Sequence, residues 1–373
     1  MITEYVEPHP ATVKTTKTSG GRLLDWIPIE SQVAGGNVAT PPPSLPTKRS
    51  VSADAPTQYA RFELDDPRVE RGPQGTVPVL RDLASHRERV QRLGTDKKGP
   101  QIYASNNVGG MDLCAIHDPS PFGYYHAVSR QNGTFFGGLS DTTIYTPTLQ
   151  SGEDHSLYQM WLIGGNQAVE AGWTVDPSLN GDFNPHLFTF FTTNGWTKRG
   201  DNLGGYNALQ AGWVQISAGI FPGAALATSR IDQWVNRYDM LYMLWQGNWW
   251  FKIENEWVGY YPTSLFGTGA MARSASRLDF GGEVYSGLSD PTTTTTQMGS
   301  GRKGEHGSNG YSAWQRNILA ITSIDATGGW AVDFNGTTIT DDGSRYDIVQ
   351  TMRSSTNWGS FLFAGGPGIG TEP

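Results

Sequence analysis

The sequence predicts an all-β protein, an antiparallel β-sandwich preceded by a smaller N-terminal region, and three observations carry that expectation. Aromatic residues make up 12% of the chain, charged residues only 17%, and there are 47 glycines. That composition suits strands and tight turns better than helices, which draw on Ala, Leu, Glu and Lys. From about residue 100 onward, short apolar segments follow one another with Gly-rich turns between them, and no strong helical period interrupts them.

Taken in order, residues 1–98 read as an N-terminal region with linker and residues 99–373 as the sandwich. The first 60 residues contain the Pro-rich "PPPSLP" (Pro41–Pro46) with scattered Ser, Thr and Ala, the text of an extended linker. Within it "GRLLDWIPIESQ" is an ordered-looking island. "ARFELDDPRVERGPQGTVPVLR" follows, and then "DLASHRERVQRLGTDKKG", the most helix-like segment and an exposed, protease-accessible connection. The strands come next. "HLFTFFTTNGW" precedes "GWVQISAGIF", and "DMLYMLWQGNWWFKI" carries a turn at Gly247-Asn248. "WAVDFNGTTIT" repeats that arrangement about Asn335-Gly336, and "SGLSDPTTTTTQMGSGRKGEHGSNG" reads as a long flexible loop. The sequons at Asn132 and Asn335 read equally well as Asn-Gly turns.

Charge and motif content exclude several functions. A net charge of −8 with no basic stripe argues against nucleic acid. No run approaches the roughly 18 apolar residues of a membrane span. The start, "MITEYVEPHPATVKTT", is not a signal peptide, since no basic end precedes an apolar stretch. Cys114 is the only cysteine, so no intrachain disulfide forms. No G-x-S-x-G or H-E-x-x-H motif is present, the seven histidines are scattered, and neither metal nor cofactor is expected. Cys114 near His117 is read as inert packing.

Two carboxylates stand out. In "NQAVEAGWTV" Val169, Ala171, Trp173 and Val175 share one face of a strand, and Ala168, Glu170, Gly172 and Thr174 share the other. The first face reads as core. The second holds a carboxylate between residues with almost no side chain. "RLDFGGEVYSG" repeats the design, with Leu278, Phe280, Gly282 and Val284 on one face and Asp279, Gly281, Glu283 and Tyr285 on the other. If the two strands lie side by side, Glu170 and Glu283 meet in one cleft. Two close carboxyls cannot both ionise cheaply, so the pair becomes an acid and a base. Other acidic residues read as solvated: Glu254 and Glu256 on one strand face, and Glu153, Asp154 and Glu305 in polar loops.

Several ordered motifs resemble the neprosin domain: "YQMWLIGGNQAVEAGWTV", "LFTFFTTNGW", "GGYNALQAGWVQIS", "NWWFKI" with "WVGYYPTSLF", "DFGGEV" and "WGSFLFAGGPG". Upstream, "ERGPQGTVPVLR" is similar to the end of that family's N-terminal activation region, and "LLDWIPIESQ" is a weaker echo of it. The resemblance implies a secreted, acid-active glutamic endopeptidase that prefers to cut after proline, made as a precursor whose N-terminal region is removed in acid. It implies that Glu170 and Glu283, in "EAGW" and "GGEV", are the catalytic pair. Water would attack the scissile carbonyl directly, with no assignment yet of which glutamate is acid and which is base. Proline preference needs an apolar pocket, for which Tyr206 and Tyr285 are the candidates. The expected partner is a proline-containing peptide or protein, taken by a monomer. Plant members carry a Cys on each side of a Tyr-Asn step where this chain has Gly205 and Gln210, so that disulfide is absent and a microbial branch is suggested. A carboxylate-pair glycoside hydrolase and a carbohydrate-binding module using Trp and Tyr platforms are the alternatives.

Overall fold

The computed structural model describes residues 6–43, 57–59, 62–83 and 123–373. Most of the helix-like segment after Leu83, the boundary near residue 98, Cys114 and His117 lie outside the described residues.

The N-terminal part forms a small antiparallel sheet, ordered β1 (Lys14–Lys17), β2 (Leu23–Pro28), β4 (Thr76–Leu80), while β3 (Thr57–Tyr59) leaves it to join the main body. Trp26 anchors this sheet with Leu24, Leu64 and Val69. The cluster is completed by Phe221 and Ala224 of the main body, so the small sheet is seated on the large one.

The main body is a sandwich. Seven strands make one sheet: β5 (Tyr124–Phe135), β7 (His155–Gly164), β8 (Gln167–Val175), β9 (His186–Thr192), β10 (Gly204–Tyr206), β15 (Ala275–Tyr285) and β18 (Thr337–Thr340). Their order is β10-β9-β8-β7-β15-β5-β18, antiparallel throughout. The facing sheet runs β11 (Val214–Gln215), β14 (Glu256–Pro262), β13 (Asn248–Ile253), β12 (Val235–Trp245), β6 (Gly137–Thr143), β16 (Trp314–Asp325), β20 (Phe361–Gly365), β19 (Asp347–Thr351). β17 (Gly328–Asp333) pairs with β16, and β3 pairs parallel with β12. The only α-helical element among the described residues is α1 (Pro177–Asn180), one turn capped by Asp176.

Period two decides what lies between the sheets. Tyr158, Met160, Val169, Ala171, Trp173, Leu278, Phe280 and Val284 point inward against Met240, Tyr242, Trp249 and Phe251 of the opposite sheet. Hydrogen bonds cross the gap: Trp173 Nε1 donates to the Thr143 carbonyl at 2.7 Å, and Tyr242 Oη donates to the Glu170 carbonyl at 3.2 Å. The outer face of the facing sheet is covered around Trp250 and Tyr260 by Val33, Val38 and Ala39 of the N-terminal part.

Several local expectations change. The first hairpin turns at Gln246-Gly247, both at positive φ, because Trp245 pairs with Asn248. Asn335-Gly336 is not a hairpin: β17 belongs to one sheet and β18 to the other, so the segment crosses between them. Asn132-Gly133 lies inside β5 at a register irregularity opposite Ala275 and Arg277, where pairing continues on both sides, so it is no turn. The segment read as a flexible loop is pinned, with Thr294, Thr296 and Met298 buried. Asp154 is buried too, accepting from Ser151 Oγ and the Gly287 amide at 2.9 Å each and from Thr296 Oγ1. Glu254 sits in the β13–β14 turn, where its Oε1 accepts from the Asp239 amide at 2.9 Å. Burial, with the charge of Asp239, pushes its carboxyl up to about 8. A carboxylate beside other carboxylates and half removed from water is not an ordinary solvated one.

Candidate active site

Glu170 and Glu283 both lie on the outer face of the seven-stranded sheet, opposite the core, as the alternation of their strands requires. Their strands are not neighbours. β7 runs between them, with Trp161 directly opposite Glu170 and Leu157 directly opposite Glu283. The residue midway between those two, Gln159, is paired with Gly172 on one side and Gly281 on the other. The two carboxylates therefore stand at opposite diagonals of one glutamine, across a row with no side chain on either flank. Both glycines are required by close packing. A Cβ at Gly172 would come within 2.7 Å of Gln159 Cα, and one at Gly281, at φ +145°, within 2.8 Å of Val128 Cα.

The surroundings of the two carboxyls are opposite. Glu283 is 7% exposed and accepts two imidazole contacts, His126 Nε2 to Oε2 at 3.0 Å and His155 Nε2 to Oε1 at 3.1 Å. Burial alone would raise its pKa. The hydrogen bonds from His126 and His155 and their attraction outweigh burial and hold the carboxyl down to about 2. His126 is fixed from behind by Asp341, whose Oδ2 lies 2.7 Å from Nδ1 and also accepts from the His126 amide at 2.8 Å. Burial works against the imidazolium, but the charge and hydrogen bond of Asp341, with Glu283, carry it up to about 10. His155 stacks on Tyr285 at 5.3 Å, and Tyr285 in turn packs on Tyr124.

Glu170 is as buried, at 6% exposed, but among the described residues it meets no cation at hydrogen-bond distance. Its Oε1 accepts from the Trp196 indole at 2.7 Å. Burial, reinforced by the charge of Glu283, pushes its carboxyl up to about 8 against the weaker pull of Trp196, the Gln159 amide and His126. Trp196 takes φ 61°, an unusual backbone for so bulky a residue. The loop holds it there: Thr192 Oγ1 accepts from its amide at 3.0 Å, and Asn194 Oδ1 accepts from the amides of Thr197 and Lys198. Strain spent on aiming one indole N–H is consistent with a site held in a set geometry.

Beside Glu170 the face is apolar, with Trp161, Phe188, Phe190 and Tyr206 in one cluster and Trp196 packed against it. Tyr206 meets Phe190 edge-on at 4.8 Å, and Arg199 lies over its ring at 5.2 Å. Tyr206 thus belongs to the wall beside Glu170, whereas Tyr285 belongs to the support of His155 beside Glu283. Asp279 shares the face but is paired with Arg277 at 2.6 Å and Arg130 at 3.1 Å, which separates it from the pair. Among the described residues no group of three or more His, Cys, Asp or Glu is arranged to hold a metal ion. A cavity of about 200 Å³ lined by Arg22, Glu63, Asp182 and His186 lies at the seam with the N-terminal sheet and includes neither glutamate.

A family model described as neprosin matches residues 152–367, more than half of the chain and spanning both glutamates. The chain belongs to the neprosin family. Its membership supports a peptidase. Among solved structures, the chain is similar to a scytalido-glutamic peptidase with a peptide-based transition-state analogue. That match has 7% identity and a TM-score of 0.30, covering 66% of this chain and 98% of the other. It is also similar to the apo Crh5 transglycosylase, at 10% identity and a TM-score of 0.24, over 46% and 67%. Gln210 packs its amide against Gly205, next to Tyr206.

Sequence reasoning left out His126, His155, Trp196, Asp341 and Gln159. The first two were legible in principle. In "YYHAVSR" and "DHSLYQMW" each histidine alternates with the core residues Tyr125 and Ala127 or Tyr158 and Met160, which puts it on the sheet face that carries the carboxylates. A prediction follows for His126→Ala. Losing this donor raises the Glu283 pKa, so the acid limb of the pH–rate profile moves to higher pH, while the alkaline limb stays near that of Glu170. A profile lowered in height but unmoved in position would mean that His126 only fills space.

Proposed function

We propose that this member of the neprosin family is a secreted glutamic endopeptidase, active in acid, that cuts peptide bonds preferentially after proline. The observation that carries the reading is the split of two buried carboxyls on one face: Glu283 held ionised by His126 and His155, and Glu170 held protonated by burial. Pairs whose environments drive their pKa values apart are acid–base pairs.

In this reading Glu283 takes a proton from water as the water oxygen adds to the scissile carbonyl carbon and the C=O electron pair moves to oxygen. Glu170 donates its O–H to that oxygen and then passes the proton to the leaving nitrogen as the C–N bond breaks. The products are a carboxylic acid and an amine, and the proton on Glu283 returns through solvent to Glu170. The apolar wall of Trp161, Phe190 and Tyr206 beside Glu170 suits a proline ring before the cut. Residues 1–98 act as a removable region on the catalytic domain, residues 99–373. Glu63 supports contact across the seam: its carboxylate accepts from Ser19 Oγ at 2.8 Å within the region and from the Ala225 amide at 3.3 Å on the main body.

The test is digestion of quenched peptides that differ only in Pro, Ala or Leu before the scissile bond, after incubation at pH 3 to 4, with products identified by mass. The expected result is cleavage after Pro, a much slower cut after Ala, and a trimmed protein beginning near residue 100. Equal cleavage of all three peptides would remove the proline preference. Full activity of an untrimmed chain would remove the inhibitory role of the N-terminal region. Secretion is tested by recovery of the chain from the medium of its source cells; confinement to the cell extract would contradict it.

A further inference from the structure

We propose that Gln159 is a third catalytic residue of this reaction: its side-chain N–H donates to the oxyanion formed when water adds to the scissile carbonyl. The inference rests on the peptidase reading above. Four observations carry it. Gln159 sits midway between Glu170 and Glu283, opposite Gly172 and Gly281, so a peptide group lying between the two carboxylates lies over its amide. Its neighbours Tyr158 and Met160 point into the core, which sends Gln159 to the face that carries the glutamates. The residue is fully buried, and its amide is close enough to pull on the Glu170 carboxyl, yet among the described residues neither amide atom makes a hydrogen bond of normal geometry. Finally, its backbone is held from the facing sheet, where Gln315 Nε2 donates to the Gln159 carbonyl at 3.2 Å.

A buried amide that reaches its one polar neighbour, Glu170, only at poor geometry is underused in the free protein. It becomes favourable when an acceptor arrives, and most of all when that acceptor gains charge. A carbonyl oxygen turning into an oxyanion is such an acceptor, so the donor favours the transition state over bound substrate. Glu170 and Gln159 would then flank the same oxygen, one donating O–H and the other N–H. No bond to Gln159 forms or breaks.

Gln159→Leu and Gln159→Met keep most of the volume and remove the donor. Each is expected to lower kcat by about 10²–10³-fold with KM changed less than about threefold. Affinity for a phosphinic peptide, a tetrahedral mimic, should fall in step, while affinity for a product peptide stays put. The melting temperature should hold or rise, because a buried amide without a well-formed hydrogen bond has been replaced by an apolar group. Glu170→Gln and Glu283→Gln are assayed beside them. If those two variants keep wild-type activity, the peptidase reading itself is wrong. If they are inactive while both Gln159 variants stay within about threefold of wild type, this inference alone fails. If neither Gln159 variant folds, the amide serves packing and the proposal is overturned.

Discussion

Replacing Glu283 with glutamine is expected to lower kcat by about 10³–10⁴-fold while the protein stays folded, and Glu170→Gln to do so by a similar factor. The reasons differ. Glutamine at 283 cannot take a proton from water, although its amide still meets His126 and His155, so substrate binding survives and the chemical step does not. Glutamine at 170 can still donate to a carbonyl oxygen, but it cannot give up a proton to the leaving nitrogen. The two variants should also part in their stability. A carboxyl raised from about 4.5 to about 8 in the native state binds its proton more tightly there than in the unfolded chain. Its contribution is therefore fully present below pH 4.5 and is lost as pH rises through about 8. Glu170→Gln removes that loss and should leave the protein relatively more stable at pH 8 than at pH 4. Glu283 runs the other way: its contribution is present above pH 4.5 and lost as pH falls towards about 2. Thermal melts of both variants at pH 4 and 8 check this. A Glu170→Gln protein less stable than wild type at pH 8 would contradict the assignment of Glu170 as the protonated partner.

Trp173→Ala is expected to cost about 3–5 kcal/mol of stability, although Trp173 lies three residues from Glu170 on the same strand. Its side chain points the other way. Fully buried, it stacks on Tyr158 at 6.0 Å with the rings 12° apart, and its indole N–H ties β8 to the facing sheet through Thr143. Truncation leaves a cavity and an unpaired buried carbonyl at once. A urea titration measures the loss, and an unfolding free energy within about 1 kcal/mol of wild type would mean that the sheets are not held here. Two residues on one strand should thus fail in opposite ways, Glu170 in rate and Trp173 in folding.

That contrast marks what the sequence made legible. Alternation in a strand with one face in the core is a local pattern, so it separated Glu170 from Trp173 and Glu283 from Phe280 without any knowledge of the fold. The order of strands is not local. Nothing in "EAGW" or "GGEV" says that β7 lies between them, so the expectation of adjacent strands was wrong, and with it the role of Gln159 stayed out of sight. The histidines illustrate the same limit. Scattered along the chain, His126 and His155 converge only when β5, β7 and β15 pair, and they converge on a carboxylate. Trp196 depends on a loop conformation at positive φ that no periodicity encodes. Turn chemistry misled where one Asn-Gly step, Asn335-Gly336, linked two sheets, because the dipeptide fixes a local bend but not the partner of the strand that follows.

The most direct test of the acid–base pair is kcat/KM for a proline-containing peptide from pH 2 to pH 9, with Glu170→Gln and Glu283→Gln alongside. The expected profile is a plateau in acid that falls at its alkaline edge as Glu170 ionises near pH 8 and at its acid edge as Glu283 protonates near pH 2, with both variants flat and near zero. Activity that climbs through pH 8, or that survives in both variants, would contradict the account.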